Sequence, residues 1–190
     1  MSLAWPLSRP QAHYAAAGLA AGLAAAEALE AMTGLALQIK WPNDLLAGGR
    51  KLAGLLGELH AAPLPLLVLG IGVNANFRPE ALGPGLLFPP TTLLEQLGRP
   101  VDLAALREAL GAALAAGLAA FDVQGLAPLL PRLERRLPWR GRLIRFTGPG
   151  GSVTGTLLGL DPAGRLAVEV EGRVEHYASG DLSGFRAEQA

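Results

Sequence analysis

The chain has no cysteine, few aromatic residues and no net charge. The absence of cysteine excludes a disulfide framework and cysteine-ligated zinc, and it is typical of a reducing compartment. Because 16 basic residues balance 16 acidic ones, composition gives no electrostatic indication of nucleic-acid binding. Lysine is scarce as well, since Lys40 and Lys51 are the only lysines. A GC-rich genome explains the scarcity most simply, but both lysines lie in one short stretch.

The amino-terminal residues show no targeting signal. Residues 1–12 lack a basic region, and Pro6 and Pro10 interrupt any apolar run, so we expect no signal peptide. The apolar run at residues 15–29 is short for a membrane span, and Glu27 and Glu30 lie in or beside it. These features predict a cytoplasmic protein that does not associate with a membrane.

Residue patterns predict a helical and stranded first part followed by short strands only. The chain length allows one medium domain, or one with a small appendage. Strands are predicted over residues 2–7, 35–40, 45–47, 51–59 and 66–76, and helices over 13–32, 91–97, 103–121 and 126–136. After Leu137, alternating stretches separated by Gly- and Pro-rich turns predict a small antiparallel β-barrel. We therefore divide the chain into domains at residues 1–136 and 137–190.

The stretch at residues 35–59 places both lysines beside other polar groups. Lys40 ends a predicted strand, Asn43 and Asp44 follow in a turn, and Lys51 lies beyond Gly-Gly-Arg on the second arm of a hairpin. In that hairpin Asp44 and Lys51 can face each other. The arrangement suits an anionic ligand with a flat or polar head, such as a nucleotide or an acyl phosphate.

Glycines recur within the predicted buried strands, and this often marks the close approach of a ligand or of another backbone. These residues are Gly54, Gly57, Gly70 and Gly72. A purely structural interpretation is also open, because an Asn-Asp pair is often only a turn and a strand lysine is often solvated. The glycine spacing matches neither a phosphate-binding P-loop nor a dinucleotide fingerprint.

Three motifs taken together resemble those of biotin–protein ligases. The motifs are KWPNDLL, GGRKLAGLLGE and VLGIGVNAN, in the order and spacing of that family. The resemblance covers essentially the whole chain. It implies an α+β fold with a class II aminoacyl-tRNA synthetase/biotin ligase-like mixed sheet and helices, followed by a small SH3-like β-barrel. It also implies a ligase that uses ATP and biotin, with Mg²⁺, to form biotinyl-5′-AMP and then to modify a carrier lysine.

The resemblance also assigns roles to individual residues. Lys51 and Asp44 are the implied catalytic residues: Lys51 contacts the biotin carboxylate and the adenylate phosphate, and Asp44 binds Mg²⁺ or orients the incoming amine. The implied biotin-binding residues are Lys51, Gly54, Leu56 and Gly72. The implied nucleotide-binding residues are Lys40, Asn43 and Asn74. Lys40 either supports the phosphates or only anchors the turn.

The resemblance implies a biotin carboxyl carrier protein of acetyl-CoA carboxylase or of a related carboxylase as partner, and a homodimer. No winged-helix segment precedes the core, so DNA binding is not expected.

The sequence departs from the family pattern at its amino end. The family's Ser/Thr-rich biotin-binding segment and its Gly-Arg-Gly-Arg-type loop are not found, and the first residues resemble the strand after that loop. We therefore expect a catalytic core truncated at its amino end, through a late start, fragmentation or descent as a short homologue. An impaired or inactive homologue that only binds a carrier or dimerises is the alternative function. Ligation of another acid such as lipoate is less favoured.

Overall fold

The computed structural model describes residues 1–6, 8, 10, 14–60, 66–83, 88–148, 150–179 and 181–187. These residues form two five-stranded sheets, four α-helices and two short 3₁₀ turns. The first sheet contains β1 (Ser2–Pro6), β2 (Leu37–Lys40), β3 (Asp44–Ala47), β4 (Arg50–His60) and β5 (Leu66–Val73), in the order β1-β5-β4-β3-β2. The helices are α1 (Tyr14–Thr33), α2 (Leu93–Leu97), α3 (Leu103–Gln124) and α4 (Leu130–Arg136).

The second sheet follows the helices along the chain. It contains β6 (Leu143–Gly148), β7 (Gly151–Leu160), β8 (Leu166–Val170), β9 (Arg173–Tyr177) and β10 (Asp181–Ala187), in the order β10-β6-β7-β8-β9. All of its pairings are antiparallel. The α+β fold class is confirmed, whereas the domain boundary between residues 136 and 137 stays a prediction.

The predicted β3–β4 hairpin is present. Gly48 and Gly49 have φ angles of +56° and +72°, which suit a two-residue turn because glycine adopts positive φ without strain. The register pairs Leu45 with Ala53 but Leu46 with Lys51, so β4 carries one extra residue between these two pairs. A bulge of this kind re-aims neighbouring side chains, and here it lies beside Lys51.

Among the described residues, the mixed strand pairing expected for the first sheet is limited to an isolated parallel bridge between Lys51 and Pro90. The four pairings between its strands are antiparallel. This follows from the chain path, because β2, β3, β4 and β5 succeed one another as neighbours in the sheet.

Several element ends differ from the prediction for local reasons. The predicted helix over residues 126–136 is split into a 3₁₀ turn, Ala127–Leu129, and α4, and each has a proline in its first turn. Helix α3 continues past Phe121 to Gln124, where Gly125 ends it at a φ of +73°. Its predicted cap is present: Asp102 accepts hydrogen bonds from the main-chain nitrogens of Ala104 and Ala105. Leu7 and His13, at two predicted ends, lie outside the described residues.

Helix α1 lies in the core, packed against α3 and against β2, β3 and β4. Its leucines and most of its alanines are buried together with the inward side chains of the first sheet. Both α1 and α3 have the length and hydropathy of a membrane-crossing helix, so α1 is longer than the short apolar run suggested. A core helix can have the same length and hydropathy, and α1 has the contacts of a core helix because it packs against α3 and the first sheet.

The contact between α1 and α3 predicts opposite effects for two glycines of one helix. A Cβ at Gly117 would lie 2.7 Å from the Cβ of Ala24, whereas a Cβ at Gly111 would meet only the flexible end of Met1, at 3.5 Å. Alanine raises helix propensity by about 1 kcal/mol at both positions. We expect Gly111→Ala to be neutral or stabilising, and Gly117→Ala to destabilise by about 1–3 kcal/mol because of overpacking. Urea unfolding measures both, and equal stability of the two variants would contradict the close helix contact.

Candidate functional site

Asp44 lies between the two lysines of the chain. Its Oδ1 is 2.6 Å from Lys51 Nζ, and its Oδ2 accepts a hydrogen bond of 3.4 Å from Lys40 Nζ. Asp44 and Lys40 are only 8% and 6% exposed, whereas the side chain of Lys51 is 41% exposed. The three groups form a charge cluster that is anchored inside the protein and presents one ammonium group to solvent.

The turn between β2 and β3 brings Lys40 and Asp44 together. The two residues are cross-strand partners at the ends of these strands. The turn contains a cis peptide bond between Trp41 and Pro42. Asn43 attaches the turn to β4: its Nδ2 donates to the carbonyl of Leu55 at 2.8 Å, and its own carbonyl accepts from the Leu55 main-chain nitrogen.

Both main-chain polar groups of Lys51, its nitrogen and its carbonyl oxygen, form hydrogen bonds with residues 89–91. Its nitrogen donates to the carbonyl of Pro89 at 2.9 Å, and its carbonyl accepts from the nitrogen of Thr91 at 2.8 Å. Asn74 Nδ2 donates to the carbonyls of Lys51 and Thr91 at 3.3 and 3.0 Å. The exposed ammonium of Lys51 therefore extends from a fixed backbone.

Lys51 and Asp44 face an open depression of about 490 Å³ on the first sheet. Gly54 and Gly72 are direct cross-strand partners in this region, so neither adds a side chain to the depression. Leu56 also lines it and is 64% exposed. An exposed cation, a backbone floor and an apolar side chain together can hold an anion that is joined to an apolar group.

The structure brings six of the eight predicted site residues to this depression. They are Asn43, Asp44, Lys51, Gly54, Leu56 and Gly72. Lys40 and Asn74 are not among its lining residues: Lys40 contacts Asp44 from the buried side, and Asn74 holds the main chain of Lys51. Gly57 has a packing role instead, since a Cβ there would lie 3.2 Å from Leu67.

Sequence reasoning did not identify Phe88 as part of this region. Its ring centroid is 4.9 Å from Lys40 Nζ, which places the ammonium group over the aromatic face. Phe88 lies in a Pro/Gly-rich connection without helical or strand periodicity, so its distant partner was not detectable from sequence. Its signal in the sequence was only that it is one of few aromatic residues.

The surroundings of Asp44 do not fit direct coordination of Mg²⁺. Both carboxylate oxygens already face ammonium groups, at 2.6 and 3.4 Å. In the described part of the chain, no three His, Asp or Glu side chains cluster in a way that could hold a metal ion. The two ammonium groups beside the carboxylate therefore favour ion pairing over metal coordination by Asp44.

Two sequence profiles match separate parts of the chain. Residues 1–74 match the Biotin/lipoate A/B protein ligase family, and residues 141–183 match the biotin protein ligase C-terminal domain. The first match contains the depression and both lysines. The second covers most of the second sheet.

Individual relatives agree with these profiles. Biotin–[acetyl-CoA-carboxylase] ligase of Mycobacterium tuberculosis is 34% identical, with 88% of this chain and 62% of that protein aligned. The bifunctional ligase/repressor BirA of Escherichia coli is 29% identical, with 100% of this chain and 59% of that protein aligned. The chain thus spans about three fifths of the length of these two relatives.

Solved structures resemble the whole described fold. The apo biotin protein ligase of Aquifex aeolicus superposes with a TM-score of 0.81 at 26% identity, covering 100% of this chain and 82% of that one. The same ligase in complex with biotin and ATP superposes with a TM-score of 0.80 at 26% identity, covering 100% and 78%.

The burial of the charge cluster predicts unequal effects on stability. In Asp44→Asn the buried Lys40 faces a neutral amide, and losing one partner of a buried ion pair costs about 3–5 kcal/mol. In Lys51→Met the pair between Asp44 and Lys40 remains, so we expect a loss of about 1 kcal/mol or less, as for an exposed pair. Urea unfolding of both variants provides the comparison. Similar losses would show that Lys40 is not the partner that stabilises the buried carboxylate.

Proposed function

The chain belongs to the biotin protein ligase family, and from its site we propose that it activates biotin with ATP and transfers it to a carrier lysine. The observation that carries this proposal is the exposed ammonium of Lys51, held by Asp44 above the glycine floor of Gly54 and Gly72. A carboxylate ligand placed there would contact the cation while its apolar part lies on the sheet. Biotin is the proposed ligand because a ligase of similar fold has been solved in complex with biotin and ATP.

In the first step, a biotin carboxylate oxygen attacks the α-phosphorus of ATP. A bond forms between them, the bond from the α-phosphorus to the bridging oxygen breaks, and pyrophosphate leaves with the electron pair. Lys51 is placed to contact both the carboxylate and the phosphate, and a fixed cation stabilises the charge that accumulates between them. Mg²⁺ is expected to enter with the ATP phosphates, as part of that substrate.

In the second step, the carrier lysine amine attacks the carbonyl carbon of biotinyl-5′-AMP. An amide bond forms, AMP leaves with the electrons of the broken anhydride bond, and the amine nitrogen releases one proton to solvent. Asp44, beside Lys51, is placed to orient the incoming amine. Its contact with Lys40 keeps the carboxylate at a fixed position during both steps.

The biotin side of the depression has an apolar wall and a bare backbone. Leu56 offers the apolar side chain, and Gly54 and Gly72 allow close approach to the sheet. On the nucleotide side, the amide nitrogens of Asn43 and Asn74 already bond to main-chain carbonyls. Direct contacts of Asn43, Asn74 and Lys40 with the nucleotide stay predictions. The contacts of these residues within the protein support a role in positioning Asp44 and Lys51.

The proposed acceptor is a biotin carboxyl carrier domain, as the name of the mycobacterial relative suggests. We retain residues 1–136 as the proposed catalytic domain and 137–190 as the proposed C-terminal domain. Cytoplasmic location, homodimer formation and the lack of DNA binding also stay predictions. A homologue that binds a carrier without catalysis is the rival function, and exchange kinetics distinguish the two.

Replacing Lys51 tests the proposed chemistry. The purified 190-residue chain is assayed for biotin-dependent exchange between ATP and pyrophosphate, with lipoate as the competing acid. We expect Lys51→Ala to lower kcat/KM by about 10²–10³-fold, as for loss of one electrostatic contact to the transition state. Arg50→Ala is the control, since Arg50 pairs with Glu95 and does not line the depression.

The outcomes separate the candidate functions. Exchange with biotin that depends on Lys51 supports the ligase. Exchange with lipoate alone identifies a different acid. No exchange by the unaltered chain contradicts the proposed activity and favours the non-catalytic homologue.

Gly72 tests whether the depression binds ligand, independently of turnover. A Cβ at Gly72 meets no atom of the described residues within 4 Å, so we expect Gly72→Ala to leave folding stability unchanged. If biotin lies against this backbone, the added methyl overlaps it and weakens binding about tenfold or more. Calorimetry measures biotin binding, and Gly57→Ala is the control, with lower stability but unaltered affinity. Wild-type affinity in Gly72→Ala would place the ligand elsewhere.

A further inference from the structure

The turn that carries the charge cluster is held by a residue far along the chain. Trp41 Nε1 donates a hydrogen bond of 2.9 Å to the carbonyl oxygen of Gly164, 123 residues away. Trp41 is only 2% exposed, so this bond lies in the interior. Gly164 belongs to the turn between β7 and β8, in the second sheet. The second sheet thus contacts the first one directly beside Lys40.

The position of Gly164 admits no side chain. Its φ is +80°, and a Cβ there would lie 2.9 Å from the side chain of Leu19, 3.3 Å from the main chain of Ala16 and 3.3 Å from Leu126. The turn therefore touches α1 as well as Trp41. Any residue larger than glycine must move either the turn or its neighbours.

Asp161 holds the β7–β8 turn in shape. Its carboxylate accepts hydrogen bonds from the main-chain nitrogens of Ala163 and Arg165 and from the Arg165 side chain, at 2.9, 2.9 and 2.7 Å. Burial alone would raise the pKa of the Asp161 carboxyl, but these hydrogen bonds and the charge of Arg165 together hold that pKa below its usual value. The turn is thus a defined structure that can fix the position of its partner.

A second contact reaches the residue next to Trp41. The Phe88 ring, over which Lys40 Nζ lies, packs edge-on against Trp139, with ring centroids 6.5 Å apart. Trp139 lies shortly before β6, which begins at Leu143. Two consecutive residues of the turn, Lys40 and Trp41, are therefore linked to the second half of the chain by separate contacts.

From these contacts we infer that Gly164 and Phe88 are positioning residues, through which the second sheet sets the distance between Asp44 and Lys51. Neither residue lines the depression. Gly164 contacts the turn that delivers Asp44, and Phe88 contacts Lys40 just before that turn. The main chain of Lys51 is held by Thr91 and by Pro89, the residue after Phe88, so Gly164 is the residue that acts on the turn alone. A shift of the turn would change the separation of the two charged groups. The inference rests on the proposed function only for its effect on catalysis.

Two glycines of the second sheet give a matched pair of variants. Gly164 and Gly172 both have positive φ, +80° and +76°, so alanine is strained at both. A Cβ at Gly172 meets no atom within 4 Å, whereas one at Gly164 meets the core. Differences between Gly164→Ala and Gly172→Ala therefore report the contact with the first sheet rather than backbone strain.

The first measurement does not depend on activity. Because the chain has only two lysines, protein labelled with ¹³C-lysine gives two sets of ε-methylene NMR signals. Lys40 lies over the Phe88 ring, so its signals carry a ring-current shift. We expect Gly164→Ala to move the signals of both lysines and Gly172→Ala to leave them unchanged. Unchanged lysine signals in folded Gly164→Ala overturn the inference, whatever the activity of the protein.

The second measurement is exchange kinetics well below the unfolding temperature. We expect Gly164→Ala and Phe88→Leu to lower kcat about tenfold with little change in the KM for biotin, because misplacing a catalytic group by about 1 Å acts mainly on the transition state. Gly172→Ala keeps wild-type kcat. Equal kcat in the two alanine variants of an active enzyme contradicts the positioning role. If the unaltered chain shows no exchange, the proposed activity fails, and the NMR result still decides the positioning role.

Discussion

A carboxylate that is only 8% exposed needs charged or polar partners to offset the cost of its burial, and Asp44 meets this requirement with two lysines. The rest of the site follows from that constraint. Lys40 approaches from the buried side and Lys51 from the depression, so one cation stabilises the fold and the other stays accessible. A single partner could not do both, because a fully buried pair would leave no cation for a ligand.

Because Lys40 and Lys51 contact Asp44 from opposite sides, different segments of the main chain must hold the two lysines in place. The turn after β2 delivers Lys40 and Asp44 together, and the bulge in β4 lies beside Lys51. Side-chain and main-chain hydrogen bonds of Asn43 attach that turn to β4, and main-chain hydrogen bonds attach Lys51 to residues 89–91. The second sheet adds Gly164 behind the turn. The site is therefore assembled from distant segments, although its charged residues lie within twelve positions of one another.

Local physics explains which parts were predictable from sequence. The glycine pair of the β3–β4 hairpin, the Asp102 cap and the facing of Asp44 and Lys51 depend on neighbouring residues, and each was predicted. The packing of Phe88 over Lys40 and the bond from Trp41 to Gly164 depend on tertiary contacts. Nothing in the local pattern marks them. The bulge beside Lys51 was missed for a similar reason, since it depends on register across strands rather than on composition.

The scarcity of lysine has a chemical consequence under the proposed function, in which a reactive acyl adenylate forms. Such an intermediate acylates lysine amines, whereas arginine guanidinium groups stay protonated and unreactive. In this chain one lysine is buried and the other is held against a carboxylate, and every remaining basic side chain is an arginine or a histidine. Under the proposed function, the chain itself therefore offers only two lysine amines that compete with the acceptor lysine for the activated acyl group.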